Sequence, residues 1–170
     1  MNLMKKFIYI PGLLFLFSCT AFVASSGSPA SEDENERIVT DSCQFLGATL
    51  RLVQEGDSAY LEANDANRKM TGRLKVTPPC YFLRSEGKLE TYAYTDVGVQ
   101  GVLIVVGKIA DVELKKNLNA PEDAVCGEEN QGILFKKKLI VLTERIGTDG
   151  LFCKDYGTDE KEYRDFAYRK

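Results

Sequence analysis

The sequence predicts a mostly β protein, a single antiparallel β-sandwich or barrel-like domain of about eight strands with one or two short helices. Three observations favour this fold class. Short runs of alternating apolar and polar residues recur between turn-forming residues. Residues 101–106 are continuously apolar, rich in β-branched side chains and bounded by glycine, which is typical of a central strand buried on both faces. No segment has a helical apolar stripe long enough for a major helix.

The first half of the domain contains a predicted hairpin. The strands before it are predicted at residues 48–53, 59–61 and 72–76, and Pro78-Pro79 stops the last of them. Two further strand patterns, at residues 80–84 and 89–94, flank the turn-forming segment Ser85-Glu86-Gly87-Lys88. This segment is therefore expected to form an exposed β-turn.

The second half continues the β pattern and ends in a helix. After the central strand, strands are predicted at residues 133–135, 139–143 and 151–153, with three lysines at 136–138 between the first two. Thr158 is a suitable N-cap and is followed by acidic residues, which predicts a short helix over residues 158–164. Residues 111–118 are compatible with one or two helical turns.

Four cysteines lie in the predicted domain, and a fifth, Cys19, precedes it. Cys43, Cys80, Cys126 and Cys153 are far apart in sequence and include no close pair of the kind that zinc or redox sites need. Two structural disulfides are therefore predicted. Sequence alone leaves three connectivities open, of which we favour Cys43–Cys80 with Cys126–Cys153.

The N-terminus reads as an export signal. A basic start, Lys5-Lys6, precedes an apolar segment at residues 7–17, so residues 1–18 are predicted to be a signal peptide. Leu16-Phe17-Ser18-Cys19 resembles the lipobox of bacterial lipoproteins, which implies a lipid on Cys19 and a membrane anchor without a spanning helix. Two alternatives stay open: ordinary cleavage within residues 24–27, and an uncleaved helix over residues 7–24.

Location follows from the same segment. Export places the protein in the periplasm, where disulfides persist. Thr20 stands where an inner-membrane retention signal has Asp, so the lipoprotein resemblance implies the outer membrane. Ordinary cleavage would instead give a soluble periplasmic or secreted protein. Residues 25–37 contain no aliphatic side chain larger than Ala, so residues 19–37 are predicted to be a flexible acidic tether and residues 38–170 the β-rich domain.

Composition excludes several classes of function. The chain has no histidine, which removes Ser-His-Asp and Cys-His nucleophile systems and most zinc sites. Its 22 basic and 25 acidic residues give no electrostatic basis for binding nucleic acid. The acid-rich segments at residues 62–67 and 122–129 lack EF-hand spacing and are expected to be solvated loops. No enzyme activity, cofactor or metal is predicted.

Residues 85–88 also match the S-x-x-K motif of penicillin-recognising enzymes. That chemistry needs the Ser and the Lys one helical turn apart and needs the partner motifs S-D-N and K-T-G, which the chain lacks. A β-turn is therefore the expected structure of this segment, and its expected role is binding.

Binding is the remaining class of function. The chain has eight tyrosines, a residue type enriched at protein–protein hot spots. The turn Ser85-Glu86-Gly87-Lys88, with Tyr92 and Tyr94, is the predicted binding surface. We expect a non-catalytic module with a protein partner, such as an inhibitor or immunity protein against an exported toxin or hydrolase. An assembly accessory lipoprotein of the cell envelope is the alternative, and the oligomeric state is left open.

Overall fold

Two antiparallel sheets pack face to face in the computed structural model, which describes residues 36–66, 68–137 and 139–169. The strands are β1 (Arg37–Phe45), β2 (Ala48–Glu55), β3 (Ser58–Asp65), β4 (Arg68–Arg73), β5 (Tyr81–Phe82), β6 (Arg84–Ser85), β7 (Lys88–Leu89), β8 (Tyr92–Tyr94), β9 (Val99–Ile109), β10 (Cys126–Lys136), β11 (Leu139–Gly147) and β12 (Phe152–Cys153). The helices are α1 (Val112–Asn117) and α2 (Glu160–Tyr168), and a 3₁₀ turn spans Thr95–Val97.

The two sheets differ in construction. The first is a four-stranded meander in the order β1-β2-β3-β4. The second has the order β11-β10-β9-β5, with β8 also paired to β9 and β12 also paired to β10. Strands β6 and β7 form a separate two-stranded hairpin. The sandwich stays open, because the sheets do not close into a barrel.

The core consists of two apolar layers on either side of the second sheet. Between the sheets, Leu50 and Leu61 of the first pack in one cluster with Leu103 of the second. On the outer face of the second sheet, α2 contributes Tyr163 and Phe166 to a second cluster. Strand β9 is covered on both faces, and residues 102–106 are fully buried. This confirms the prediction of a central buried strand and follows from its continuous apolar sequence.

The mostly β class is confirmed. The described residues contain more strands than the eight or so that were predicted, for a physical reason. Of the twelve strands in the described residues, five contain only two or three residues, too few to show alternation. Strand β1 and the first half of β10 were not predicted, because they are largely polar and show no sustained alternation of apolar and polar residues. One buried polar residue of β10, Gln131, is satisfied internally: its side chain accepts from the Lys75 amide at 2.8 Å and donates to the Thr143 carbonyl at 2.6 Å.

The acid-rich segment at residues 62–65 corrects a prediction. Residues 62–67 were expected in a loop, but residues 62–65 belong to β3: residues 62–64 pair with both β2 and β4, and Asp65 pairs with β4. Their outward side chains form the polar face of the first sheet, where Glu62 accepts from the Arg37 guanidinium at 2.8 Å. In the other acid-rich segment, Glu128 and Glu129 lie in β10.

One of the two predicted disulfides is present. Cys126 and Cys153 are directly opposite each other in the pairing of β10 with β12, and they are bonded. The predicted Cys43–Cys80 bridge is wrong, because both residues are free thiols. Cys43 lies on β1 opposite Leu50, whereas the Cys80 sulfur lies 3.7 Å from the Thr77 carbonyl. Both pack in the core between the sheets. They therefore act as small apolar side chains in the core and not as partners in a disulfide.

The described strands and helices all fall within Asp33–Lys170, which forms one compact unit. A chain of residues 31–170 therefore keeps every contact described here. Strand β1 begins at Arg37, the last residue of the predicted tether. Neither helix of the described residues has the length and apolar character that crossing a bilayer requires. The predicted signal peptide, Cys19 and the predicted tether as far as residue 35 lie outside the described residues.

Candidate functional site

The turn predicted at residues 85–88 is an exposed β-hairpin tip. Ser85 pairs with Lys88 across a two-residue loop, and Glu86 and Gly87 have φ of 51° and 75°. Positive φ at both central residues is the pattern of a type I′ turn, whose twist matches the flanking strands. The hairpin prediction is confirmed, and Ser85 and Lys88 are not one helical turn apart as S-x-x-K chemistry requires.

The chain that follows β12 lies alongside this hairpin. Arg84 donates its amide to the Lys154 carbonyl at 2.8 Å, and the Glu86 amide donates to the Asp155 carbonyl at 3.0 Å. The Gly157 amide donates back to the Arg84 carbonyl at 2.7 Å. A Cβ at Gly157 would lie 2.9 Å from Glu90 Oε2, and its φ is +68°, so glycine permits this close approach. The tip is thereby hydrogen-bonded to a second segment.

Arg84 and Asp41 hold one side of the hairpin base. The guanidinium donates to both carboxylate oxygens, at 2.6 and 2.9 Å, and the Phe82 amide adds a bond of 2.9 Å to the same carboxylate. The side chains are only 14% and 9% exposed. Burial alone would raise the pKa of Asp41, but the bonds from Arg84 and Phe82 outweigh it and lower the pKa. The bidentate geometry fixes the direction in which the hairpin leaves the sandwich.

Glu90 holds the other side. Its carboxylate accepts from the Thr158 amide and the Tyr163 hydroxyl, both at 3.0 Å, and from the Tyr92 hydroxyl at 3.3 Å. Burial, and next the Glu90 charge, raise the pKa of Tyr163, so its hydroxyl remains a donor. The tyrosine rings of Tyr92 and Tyr163 lie 4.8 Å apart. The base of the hairpin is thus joined to α2 as well as to β1.

A groove of about 390 Å³ lies beside the tip, between residues 123–125 and residues 154–156. Tyr156, which is 62% exposed, lines it together with the exposed Val125, and Tyr156 also bridges to Ser85. Cys126 directly follows the first segment and Cys153 directly precedes the second, so the bond between them fixes the separation of the two segments. We call this area the hairpin surface; it consists of Ser85, Glu86, Gly87, Lys88, Val125, Asp155 and Tyr156.

The predicted tyrosines are placed differently from one another. Tyr92 is half-buried and supports the hairpin through Glu90. Tyr94 is a core residue: its ring is buried against α2 and its hydroxyl donates to the Glu160 carbonyl at 3.3 Å. The binding role predicted for Tyr94 does not fit this position. Tyr156 takes that place on the surface, and its signal in the sequence was only its residue type.

Within residues 36–66, 68–137 and 139–169, no group of three or more His, Cys, Asp or Glu side chains is placed to hold a metal ion. The arrangement at the hairpin surface offers contact area and backbone rigidity rather than reacting groups. No protein-family model, curated protein or solved structure matches this chain significantly.

Proposed function

We propose that this chain is an exported, membrane-tethered, non-catalytic binding module that inhibits an exported toxin or hydrolase through its hairpin surface. The observation that carries the proposal is the support of the exposed tip by two carboxylates, Asp41 and Glu90. A loop already fixed in its bound shape loses little conformational entropy on binding, which favours tight complexes. The two-residue tip is narrow enough to enter a cleft, and Tyr156 beside it supplies the large amphipathic contact typical of hot spots.

The proposed location depends on residues 1–37. A lipid on Cys19 would anchor the chain, most simply in the outer membrane, and the 18 residues from Cys19 to Glu36 would reach about 60 Å when extended. That reach lets the domain meet a soluble partner in the periplasm. Cleavage within residues 24–27 would leave the same module soluble in the periplasm or secreted, with its binding surface unchanged.

The test is affinity capture with three baits. Residues 31–170 are immobilised with the disulfide formed and exposed to periplasmic and secreted extracts, and retained proteins are identified by mass spectrometry. The second bait has Tyr156→Ala. The third has Tyr168→Ala, which removes an exposed tyrosine outside the hairpin surface.

We expect one toxin or hydrolase to be held at one-to-one stoichiometry by the unchanged and Tyr168→Ala baits and to lose its activity in the complex. Loss of a hot-spot tyrosine weakens binding by about 30-fold or more, so the Tyr156→Ala bait should release it on washing. Capture of envelope assembly machinery alone, or equal capture by all three baits, would contradict the proposal. The first of these results would move the function to the alternative, an assembly accessory lipoprotein.

A further inference from the structure

The turns β1–β2 and β10–β11 lie at the same end of the sandwich. The rings of Phe45 and Phe135, the last apolar residues before these turns, are 4.8 Å apart. Leu46 follows Phe45 directly, and Lys136, which pairs with Leu139, follows Phe135. We call this area the basic end; it consists of Leu46, Val97, Lys136, Lys137, Leu139 and Tyr168.

Apolar side chains at the basic end project into solvent. Leu46 is 60% exposed and Leu139 is 62% exposed. Val97 and Tyr168 are also exposed, and both line a groove of about 320 Å³ that contains Leu134 and Phe166 as well. Single exposed apolar residues need no explanation, but several at two adjacent turns mark an interaction site.

Leu46 is an unusual choice for its position. It has a φ of 48° and Gly47 a φ of 80°, and they form the two-residue loop between Phe45 and Ala48. This type I′ geometry favours Asn at the first position, since a branched apolar side chain is strained in the left-handed region. The chain therefore keeps a leucine where both the backbone and the solvent disfavour it, which indicates a role outside folding.

Positive charge surrounds these apolar groups. Lys136 and Lys137 are exposed, and neither forms an ion pair with a described residue. Arg164 lies 5.6 Å from the centre of the Tyr168 ring, so it adds charge to the same area. Two opposing charges lie nearby: Asp96 accepts a hydrogen bond from the Tyr168 hydroxyl, and Glu144, which lines the same groove, is paired with Lys75. Lysines beside exposed leucines and a tyrosine match an anionic lipid surface, which offers phosphate charge outside and apolar chains within.

We propose that the basic end docks on the surface of an anionic lipid bilayer. Leu46 and Leu139 enter the boundary between headgroups and acyl chains, and Lys136 and Lys137 contact lipid phosphates. The proposal goes beyond the partner-binding role and does not require the lipid anchor. The two are compatible, since β1 runs about 30 Å from Arg37 to Phe45 and the extended tether is longer.

The test uses residues 31–170, which lack Cys19, in flotation with vesicles at low salt. One set of vesicles is phosphatidylcholine alone, and the other contains about one-third phosphatidylglycerol. The variants are Leu46→Asn and the double substitution Lys136→Gln with Lys137→Gln. Lys116→Gln is the matched control, because it removes an exposed lysine from α1, outside both the basic end and the hairpin surface.

We expect binding to the anionic vesicles and little to phosphatidylcholine. Each lysine removed lowers affinity about fivefold, so the double variant should bind about 25-fold more weakly. Leu46→Asn should bind about tenfold more weakly while unfolding at a temperature no lower than the unchanged chain, since Asn-Gly favours the turn. Lys116→Gln should bind as before. The proposal would be overturned by equal binding to both vesicle types, by no binding to either, or by unchanged affinity in Leu46→Asn. It would also be overturned if these substitutions changed only the capture of a protein partner and not the binding to vesicles.

Discussion

Removing the Cys126–Cys153 bond should destabilise the domain by an amount that the structure sets. The bond closes a loop of 27 residues, which in the chain-entropy model corresponds to about 3.5 kcal/mol at 25 °C. Both cysteines are also buried, so replacing them with alanine loses sulfur packing of about 1 kcal/mol in addition. For an m-value of about 1.5 kcal/mol/M, loss of the bond alone lowers the urea midpoint by about 2 M.

The assay is urea unfolding of residues 31–170, followed by circular dichroism, with and without dithiothreitol. The matched control is the variant Cys126→Ala with Cys153→Ala. The unchanged chain should lose about 2 M in its midpoint on reduction, and the variant should unfold early with no further response to reductant. Equal midpoints for the unchanged chain with and without reductant would refute a structural role for the bond. A reductant response that persists in the variant would show that Cys43 and Cys80 are bonded after all.

The remaining predictions concern thiols, acid stability and turn stability. Burial raises the pKa of Cys43 and Cys80 to about 12, so alkylation of these thiols at pH 8 should be very slow in the folded domain. In urea the same reagent should label both thiols of residues 31–170. Rapid labelling of the folded domain would contradict this. Because the folded pKa of Asp41 is lowered, its contribution is present above about pH 4 and is lost as pH falls through that lower value. Asp41→Asn should therefore lower the free energy of unfolding by about 3 kcal/mol at pH 7 and flatten its pH dependence below pH 4. Glu62→Gln, in an exposed ion pair, should lower the free energy of unfolding by less than about 1 kcal/mol. Equal losses in the two variants would contradict a structural role for the buried pair. Leu46→Asn should raise stability by about 0.5–1 kcal/mol in thermal unfolding, and a lower melting temperature would argue against strain at this turn.

The features that were predicted correctly are those that depend on residues close together in the chain. The central strand and the tip at residues 85–88 each depend on neighbouring residues: a continuous apolar run and a turn tetrad. The C-terminal helix was predicted as well, but its N-cap is Asp159, which accepts from the Lys161 amide, and not the predicted Thr158. The buried polar strand at Asn130 and Gln131 was missed because its partners, such as Thr143, come from elsewhere in the chain. A buried glutamine produces no periodic sequence pattern, since its burial depends on whether hydrogen-bond partners are present in the fold.

The candidate site was predicted only in part, for the same reason. The tip itself is a local pattern, but the groups that hold it are distant in sequence: Asp41 and Arg84 are separated by 43 residues, and Glu90 and Tyr163 by 73. The even cysteine count suggested two bridges, yet a count does not position side chains, and Cys43 and Cys80 pack as thiols in the core. Tyr94 shows the same limit, because alternation places it on a face without saying whether a helix covers that face.

The central claim is that a partner binds the hairpin surface, and hydrogen–deuterium exchange tests it most directly. The captured partner is added to residues 31–170, and amide exchange is compared with that of the free chain. The account predicts new protection at residues 85–88 and 154–156, with none on the exposed face of the first sheet. Protection confined to that sheet face or to the basic end, with residues 85–88 exchanging as in the free chain, would contradict it.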